Sequence, residues 1–315
     1  MNPAPLVSIA LCTYNGEKFL NKQLTSILSQ TYRNIELIIV DDCSTDDTVK
    51  MIRDFQENDQ RIKLIINEQN LGFNRNFQKA IGLCTGDFIA VCDQDDIWLS
   101  HKIETLLQAI GQQDMVYCNS AFVDTNDQPT GKYIIDPNRN SAAYQHYKNI
   151  LMENFITGHN LLFRRKAIQQ MFPFPKNSFY DWWMGFVMLY EGKLAYCNQV
   201  LTHYRTHESS VMNVINNQHK SSSKLNQFNT TNAILNQVKD FAKYKSIKEH
   251  DKHFLQSLAT ALEEKRSSYY SFSLFNILLS DFDLLFPKYS RNPFKRIYFI
   301  YRYCRGFKLL NLLKK

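Results

Sequence analysis

Three carboxylates follow a short apolar run in the stretch FIAVCDQDDIW, where Phe88–Cys92 is apolar and Asp93, Asp95 and Asp96 come next. A run of this kind predicts a buried strand whose acidic residues emerge at its carboxyl end. Carboxylates at this spacing repel one another unless a cation lies among them. Mg²⁺ prefers oxygen ligands and often binds one or two carboxylates together with substrate phosphates. The chemistry therefore predicts a metal–diphosphate site, and a solvated acidic turn is the alternative.

Apolar runs alternate with helical periodicities between residues 7 and 118. The other predicted strands are Val7–Cys12, Ile35–Val40, Ile62–Ile66 and Met115–Cys118. This alternation predicts βαβ units and an α/β fold with a mostly parallel sheet flanked by helices. Right-handed crossovers bring the carboxyl ends of parallel strands to one edge, where open sheets bind ligands. We therefore expect one crevice to be lined by Thr13–Glu17, Asp41–Asp42 and Asp93–Asp96.

The composition of the 315-residue chain is that of a globular protein, with 44% hydrophobic and 21% charged residues. Its seven cysteines form no C-x-x-C pair, which predicts reduced thiols and a cytoplasmic setting, with neither a disulfide framework nor a zinc site. The N-terminal segment has no basic n-region, so no signal peptide is expected. No G-x-G-x-x-G fingerprint or P-loop follows the first strand, so the usual dinucleotide and P-loop sites are not expected.

The net charge of +7 is concentrated at the C-terminal end. Residues 288–315 contain nine of the 37 Lys and Arg residues and no Asp or Glu, which leaves 28 basic and 30 acidic residues in the rest of the chain. The same segment is rich in aromatic residues and leucine. It fits an anionic membrane surface, and the alternative is that it packs back onto the protein as a helical subdomain. Nucleic-acid binding is not expected, because the body of the chain is slightly acidic.

Beyond Asn119 the alternation of strands and helices loosens. Residues 124–140 are rich in Asp, Asn, Pro and Gly and predict a long loop. Residues 179–192 predict a helix headed by Asp-Trp-Trp, and 213–224 form a polar stretch typical of a linker. The remainder, 225–315, is predicted to be a helical region with an aromatic and basic end.

Four blocks in order, VSIALCTYNGEKFL, IELIIVDDCSTDDT, NLGFNRN and CDQDDIW, resemble those of family 2 glycosyltransferases with the GT-A fold, a Rossmann-like α/β architecture. DQDDIW followed by a downstream DWW resembles the branch that contains bacterial rhamnosyltransferases of surface-polysaccharide assembly. The resemblance covers roughly residues 5–212. It implies a catalytic domain over 1–212, with a nucleotide-sugar half (1–119) and an acceptor half (120–212), followed by the linker and the helical, basic C-terminal region.

The resemblance implies roles for particular residues on the donor side. Asp41 and Asp42 match the nucleotide-binding pair, since a carboxylate at a strand edge can accept the N3–H of uracil or thymine. Gly72 would permit a close backbone approach, and two arginines would face phosphate. The residues matched to donor binding, besides the aspartates, are Thr13, Tyr14, Glu17, Asn70, Gly72, Arg75 and Arg205.

The D-x-D motif implies a divalent cation, Mg²⁺ or Mn²⁺. The residues matched to the metal are Asp95, Asp93 and His207, with Asp95 as the direct ligand and Asp93 nearer the ribose or a bound water. Asp96 would instead orient the loop. His207, in the sequence YRTH, matches a histidine that many relatives place near the metal or the diphosphate, although a lone histidine is more often structural.

On the acceptor side, Asp181 matches the family's carboxylate that acts as the base. Transfer with inversion needs one base opposite the leaving group, whereas a glycosidase needs two carboxyl groups. The alternative for Asp181 is the N-cap of the following helix. Trp182 and Trp183 would stack on sugar faces or fill the core. The residues matched to acceptor binding are His159, Asn160, Trp182 and Trp183.

These matches imply an inverting, metal-dependent glycosyltransferase of bacterial surface-polysaccharide synthesis. The donor would be a pyrimidine nucleotide sugar, with dTDP-rhamnose implied by the branch and a UDP-hexose as the main alternative. The acceptor would be a glycan or a lipid-linked saccharide, and the enzyme would be cytoplasmic and peripheral on the inner face of the cell membrane. A sugar-nucleotide-binding protein without activity is the other reading. The Q-x-x-R-W motif of processive synthases is absent from the sequence, so one transfer per encounter is expected.

Overall fold

The computed structural model describes residues 4–137, 144–206, 223–289 and 292–308. Within these residues the chain divides into two compact units that interleave along the sequence. The first unit takes its described residues from 4–137, 155–176 and 191–206. The second takes them from 144–154, 177–190, 223–289 and 292–308.

One sheet runs through the first unit and, among the described residues, contains nine strands. The strands are β1 (Val7–Thr13), β2 (Ile35–Asp41), β3 (Ile62–Ile66), β4 (Phe88–Cys92), β5 (Ile97–Trp98), β6 (Met115–Val123), β7 (Pro129–Tyr133), β8 (Leu161–Arg164) and β9 (Leu194–Arg205). Their order is β3-β2-β1-β4-β8-β6-β9-β5, and β7 pairs with β6. Strands β1 to β4 are parallel, as is the long β6–β9 pair, whereas β8 is antiparallel to both of its neighbours. The predicted α/β fold with a mostly parallel sheet is confirmed.

Helices cover this sheet because its central strands are apolar on both faces. Every residue of β1, β2 and β4 is buried, which explains why these strands have apolar runs without alternation. Helix α1 contributes Leu20, Leu24 and Ile27 to the same core. The helices of the first unit are α1 (Glu17–Leu28), α2 (Thr48–Asn58), α3 (Phe73–Leu83), α4 (Lys102–Ala109) and the short α5 (Ile168–Met171).

The long loop predicted over 124–140 is wrong for its described part, which contains a β-hairpin. Strand β7 pairs with the end of β6, with Ala121 opposite Tyr133. The turn closes because Asp124 accepts hydrogen bonds from the backbone N–H groups of Asn126 and Gln128. Composition identified the turn residues, but all five residues of β7 are exposed and have no apolar face that would have revealed a strand.

The second unit is helical, as predicted for the C-terminal region. Its helices are α6 (Tyr180–Tyr190), α7 (Ser223–Phe241), α8 (Glu249–Ser267), α9 (Phe272–Ser280), α10 (Phe282–Leu285) and α11 (Pro293–Tyr303). Phe186 of α6 stacks on Phe241 of α7 with ring centroids 4.1 Å apart. Residues 213–222 of the predicted linker lie outside the described residues. None of the described helices is both long enough and apolar enough to span a bilayer.

Candidate functional site

The ends of three parallel strands meet at one edge of the sheet in the first unit. The hydroxyl of Thr13, at the end of β1, donates to Asp41 Oδ1 at the end of β2 (2.7 Å). The backbone N–H of Tyr14 donates to Gln94 Oε1 in the loop after β4 (2.9 Å). The three segments expected to line one crevice are therefore joined directly to one another.

The carboxylates of Asp41 and Asp42 are buried and hold these loops in shape. Asp41 accepts hydrogen bonds from the hydroxyl (2.6 Å) and the backbone N–H (2.8 Å) of Ser44. Asp42 accepts from the backbone N–H groups of Leu71 (2.8 Å) and Gly72 (2.9 Å). Their match to a nucleotide-binding pair stays a prediction, and both side chains already fix the loops around which a nucleotide would bind.

Gly72 precedes helix α3 with a φ of 77°, in the region that favours glycine. A Cβ there would meet no atom within 4 Å, so the backbone conformation, and not a close approach within the chain, explains this glycine. Asn70 Oδ1 accepts from the Gly72 N–H (3.0 Å), and Arg75 is exposed on the first turn of the helix. Glu17 accepts a hydrogen bond from the backbone N–H of Asp47 (3.0 Å), so it joins the first loop to the second.

Gln94, the middle residue of the D-x-D motif, was missed by the sequence reasoning. Its side-chain amide accepts from the Tyr14 N–H and donates to the Tyr14 carbonyl (3.1 Å), as a neighbouring strand would. A Cβ on Gly16 would lie 2.3 Å from Gln94 Oε1, so this packing also favours glycine there. Gln94 bonds the N–H and the carbonyl of a residue 80 positions away, and no local sequence pattern indicates such a contact.

Asp93, Asp96 and His159 place one ligand atom each within 4.8 Å of one another. His159 Nδ1 is 3.7 Å from Asp93 Oδ2 and 3.5 Å from Asp96 Oδ2. Strand direction explains the meeting: β8 is antiparallel to β4, with Leu162 opposite Ala90, so the residues before β8 lie beside the residues after β4. The two carboxylate oxygens suit Mg²⁺ or Mn²⁺, and the imidazole nitrogen is a donor more typical of transition-metal ions.

Hydrogen bonds orient the imidazole of His159 toward the carboxylates. Its Nε2 lies 2.9 Å from Ser120 Oγ and 3.2 Å from Thr157 Oγ1, and its ring stacks on Tyr204 at 4.5 Å. With the proton on Nε2 donated to a hydroxyl, the lone pair of Nδ1 faces the two aspartates. Burial lowers the pKa of His159, which favours the neutral imidazole that binds metals.

Asp96 is the most deeply buried carboxylate of this cluster. Its side chain is fully buried, and Oδ2 has no hydrogen-bond partner among the described residues. Burial, and then the charges of Asp95 and Asp93, raise the pKa of Asp96 well above its ordinary value. An ionised carboxylate in such a place is costly unless a cation or a donor meets it. The residues therefore fit a bound divalent cation.

This cluster differs from the predicted ligand set. Asp93 was predicted near the cation, but Asp96 was expected only to orient the loop and His159 to face the acceptor. Asp95 is not part of the cluster, and His207 lies outside the described residues. Asn160 is fully buried, and both polar atoms of its side chain lack a hydrogen-bond partner within the described part of the chain.

Arg205 does not match the prediction that it faces the diphosphate, because its guanidinium is buried and bonded to the protein. Its Nε donates to the carbonyl oxygen of Asp95 (2.8 Å), and its Nη1 donates to the carbonyl oxygen of Asp124 (3.1 Å). The same group forms an ion pair with Asp127 and lies 4.7 Å from the ring centroid of Phe19. Arg205 therefore holds the loop after β4 in place.

Lys102 is a charged residue that sequence reasoning missed. It is fully buried on α4, where its ammonium donates to the carbonyl oxygen of His159 (2.6 Å) and to Thr202 Oγ1 (2.7 Å). It also lies 3.8 Å from the ring centroid of Trp98, and burial lowers its pKa. Lys102 thus fixes the backbone that carries His159. Its position among the apolar residues of a predicted helix was the one sequence feature that could have indicated a buried lysine.

Asp181, Trp182 and Trp183 lie at the start of α6 in the second unit. Asp181 Oδ1 accepts from the Trp182 N–H (2.7 Å), and the side chain is partly exposed. Both indoles are buried: Trp182 donates to the carbonyl oxygen of Ile150 (2.6 Å), and Trp183 stacks on Phe241. The role of the two indoles as sugar-stacking platforms therefore does not fit, because both rings are used by the core.

Comparisons with known proteins found a matching family model and related sequences. The family model described as Glycosyl transferase family 2 matches residues 8–172. The chain is 33% identical over 208 residues to the UDP-Glc:alpha-D-GlcNAc-diphosphoundecaprenol beta-1,3-glucosyltransferase WfaP of Escherichia coli. The aligned region covers 65% of this chain and 79% of WfaP.

Two solved structures have a similar fold at low sequence identity. S. aureus TarS 1–349 in complex with UDP-GlcNAc has a TM-score of 0.58 at 16% identity, over 94% of this chain and 79% of that one. The mannosyltransferase PcManGT from Pyrobaculum calidifontis, in complex with GDP-Man and Mn²⁺, has a TM-score of 0.56 at 16% identity, over 100% and 89%. The GT-A fold expected from the sequence blocks is confirmed.

Proposed function

The chain belongs to glycosyl transferase family 2, and we propose that it is an inverting, metal-dependent transferase. It moves a sugar from a pyrimidine nucleotide sugar to a glycan or a lipid-linked saccharide in bacterial surface-polysaccharide synthesis. The observation that carries the metal dependence is the buried Oδ2 of Asp96, which has no hydrogen-bond partner among the described residues and lies beside Asp93 and His159.

In this proposal, Asp93, Asp96 and His159 are the residues that would hold Mg²⁺ or Mn²⁺. A cation held there would supply counter-charge for the diphosphate of the donor. Gln94 and Asp41 hold the first two loops against the loop after β4, so the donor meets a preformed edge. Tyr14, which is half exposed on that edge, is the residue most available to a nucleobase.

Asp181 is the proposed general base, which takes the proton of the acceptor hydroxyl as the new bond forms. A single base suffices because a nucleoside diphosphate is a weakly basic leaving group that needs no general acid, unlike the alcohol that leaves in glycoside hydrolysis. The support for this role is the resemblance of the D-W-W segment to the family's acceptor-side carboxylate. Asn160 is the proposed acceptor-side amide, since its buried polar atoms have unused hydrogen-bonding capacity among the described residues.

The donor is proposed to be a UDP-sugar. WfaP uses UDP-Glc according to its name, and TarS was solved with UDP-GlcNAc. The branch-level resemblance to rhamnosyltransferases keeps dTDP-rhamnose as the second candidate. The acceptor of WfaP is linked to diphosphoundecaprenol, which supports a lipid-linked acceptor for this chain and a cytoplasmic enzyme at the inner face of the membrane.

A thermal-shift and turnover screen tests the proposal. The panel contains UDP-glucose, UDP-galactose, UDP-GlcNAc, dTDP-rhamnose and GDP-mannose, each with Mn²⁺, with Mg²⁺ or with chelator. A donor at 100 times its dissociation constant adds about 2.7 kcal/mol to the free energy of unfolding. We expect a UDP-sugar to stabilise the chain only with metal and to be turned over with a saccharide acceptor. Binding without turnover in every combination would favour the non-catalytic alternative.

The Asp181→Asn variant tests the base. Donor stabilisation should persist, whereas transfer should fall by about 10²–10⁴-fold, the usual contribution of a general base. Asp283→Asn, a change of the same chemistry at another acidic residue of the second unit, is the matched control and should transfer at the wild-type rate. If Asp181→Asn retains wild-type transfer, the base lies elsewhere, and Asp136, Glu153 and Glu191 are the next residues to replace.

A further inference from the structure

We propose that one face of helix α11 binds an anionic lipid bilayer. This lipid face consists of Phe294, Ile297, Tyr298 and Tyr301, whose exposed fractions are 84%, 51%, 61% and 52%. Their spacing of i, i+3, i+4 and i+7 places all four on one stripe of the helix. An apolar stripe that faces solvent over a whole helix marks an interaction surface.

The opposite face of α11 is packed, so the lipid face is not the result of an unfolded tail. Phe299 lies 4.1 Å from Tyr289 and 5.1 Å from Phe286 between ring centroids, and Ile300 is fully buried. Asn292 caps the helix by accepting from the backbone N–H groups of Phe294 and Lys295. The helix is therefore held rigidly within the second unit, and it presents its other stripe outward.

Aromatic residues outside α11 extend the same surface. Tyr301 lies 5.7 Å from Tyr270, which lies 4.9 Å from Phe272, an aromatic residue with an exposed fraction of 70%. Tyr269, next in the chain to Tyr270, is 61% exposed. Exposed aromatic side chains thus adjoin the lipid face, whereas a single protruding ring would need no explanation.

Cations border the lipid face, and this decides its occupant. Lys295, Arg302 and Arg305 are exposed, and Arg302 lies 5.7 Å from the ring centroid of Tyr298. The segment 288–315 itself contains no acidic residue, although Asp283 pairs with Arg296 of helix α11. Basic side chains beside protruding aromatic rings fit a bilayer, where rings enter the headgroup region and cations meet lipid phosphates. Duplex nucleic acid would use the cations but would leave the four apolar side chains in water.

The two alternatives drawn from the sequence thus apply to different faces of one helix. One face packs on the second unit, and the other is free to meet lipid. Leu309, Leu310, Leu312 and Leu313 lie outside the described residues. Binding to lipid does not depend on the proposed transferase activity. Its biological purpose rests on that proposed function, because lipid binding would hold the enzyme near a lipid-linked acceptor.

Flotation of the full chain with vesicles tests the proposal. We expect binding to vesicles of phosphatidylcholine with about a third phosphatidylglycerol, and weak binding to pure phosphatidylcholine, because each cation near an anionic surface strengthens binding about fivefold. The anionic-vesicle binding should fall as salt rises. Equal binding to both kinds of vesicle, or binding to neither, overturns the proposal.

Two variants with matched controls assign the binding to this face. The triple variant Phe294→Ser, Ile297→Ser, Tyr298→Ser should bind anionic vesicles at least about tenfold more weakly. Its control, Leu83→Ser with Tyr133→Ser, removes exposed apolar side chains of the first unit and should bind as the wild type does. The variant Lys295→Glu with Arg302→Glu should lose at least about 25-fold. Its control, Lys50→Glu with Lys132→Glu, makes the same change in net charge elsewhere and should lose much less.

The remaining outcomes distinguish lipid binding from self-association and from nucleic-acid binding, and they separate it from the transferase activity. Wild-type binding by both test variants overturns the proposal. If the wild type self-associates in sedimentation while the triple variant is monomeric and neither binds vesicles, the face is an interface between copies and the lipid proposal is wrong. Tighter binding to duplex DNA than to anionic vesicles would also overturn it. Transfer to a water-soluble acceptor should be unchanged in both test variants, so failure of the transferase proposal is detected separately.

Discussion

The two units bury different kinds of side chain. The loop edge of the first unit, defined by the residues around Asp41, Asp96 and His159, buries ionisable groups, and hydrogen bonds hold Asp41 and His159 there, whereas Asp96 Oδ2 has no hydrogen-bond partner among the described residues. The second unit buries rings: Phe186, Phe241 and Trp183 pack face to face or edge to face. Ring packing stabilises mainly through the apolar area that it buries, whereas a buried charge needs partners in fixed positions. The difference indicates that precise geometry is maintained at the loop edge, and bulk stability in the helical unit.

The buried lysine of each unit illustrates the contrast. Lys102 in the first unit donates to two oxygen atoms in addition to lying near an indole ring. Lys265 in the second unit lies 3.9 Å from the centroid of Tyr303 and 5.3 Å from that of Phe307, and burial lowers its pKa to about 8. Cation–π contacts are weaker and less directional than charge-assisted hydrogen bonds. The first lysine therefore positions a backbone, and the second fills an aromatic core.

The largest expected effect tests the aromatic core. Phe241→Ala should lower the free energy of unfolding by about 3–5 kcal/mol, because the variant leaves a cavity among stacked rings. Urea denaturation followed by fluorescence measures it. Phe272→Ala, at a ring that is mostly exposed, should change the free energy by less than about 0.5 kcal/mol. A loss below about 1 kcal/mol for Phe241→Ala would mean that ring packing does not stabilise the second unit.

The next effect tests the loop edge through its function. Asp96→Asn should reduce metal-dependent transfer by about 10²–10³-fold. The substitution removes one ligand of the proposed cation, and such a cation stabilises the transition state by several kcal/mol. The metal-free variant should unfold with at least the wild-type free energy, since burial disfavours the carboxylate it replaces. Asp54→Asn, an exposed change on α2, is the control. If Asp95→Asn abolishes metal dependence and Asp96→Asn does not, the cation is bound by the D-x-D residues predicted from sequence.

Lys102→Met should lower the free energy of unfolding by about 1–3 kcal/mol, because the carbonyl of His159 and the hydroxyl of Thr202 lose their buried donor. Lys50→Met, at an exposed lysine of α2, should be near neutral. Thermal and urea denaturation compare the two. An unchanged Lys102→Met variant would show that this buried charge is not held as the hydrogen bonds imply.

The smallest effect is a pH dependence at Glu36, far along β2 from the loop edge. Burial alone would raise its pKa, but hydrogen bonds from Lys63, Ser8 and Thr85 outweigh burial and lower the pKa to about 2. A pKa lower in the folded than in the unfolded protein adds stability above the unfolded value near 4.5, and that stability is lost as the pH falls toward 2. Glu36→Gln should therefore lose about 1–2 kcal/mol at pH 7 and less at pH 3. Equal losses at both pH values would contradict the assignment.

Local patterns in the sequence determined most of the first unit. The apolar runs gave β3 and β4 their observed bounds, and β1 and β2 are each one residue longer than expected. The acidic residues after β2 and β4 and the turn after β1 do meet at one edge, because parallel strands leave no other arrangement. The exposed β7 was missed, since a strand without an apolar face has no periodicity to detect.

Only the tertiary structure decided which side chains share the acidic cluster and which face of α11 is exposed. Strand β8 enters the sheet antiparallel to β4, and this direction brings His159 beside Asp93 and Asp96, some 60 residues earlier in the chain. Helix α11 is apolar on two sides, so its periodicity could not say that Phe299 and Ile300 turn inward while Phe294 and Tyr298 face out. Periodicity records the distances between neighbours in the chain. Partners far apart in sequence are selected by packing, which depends on every element at once.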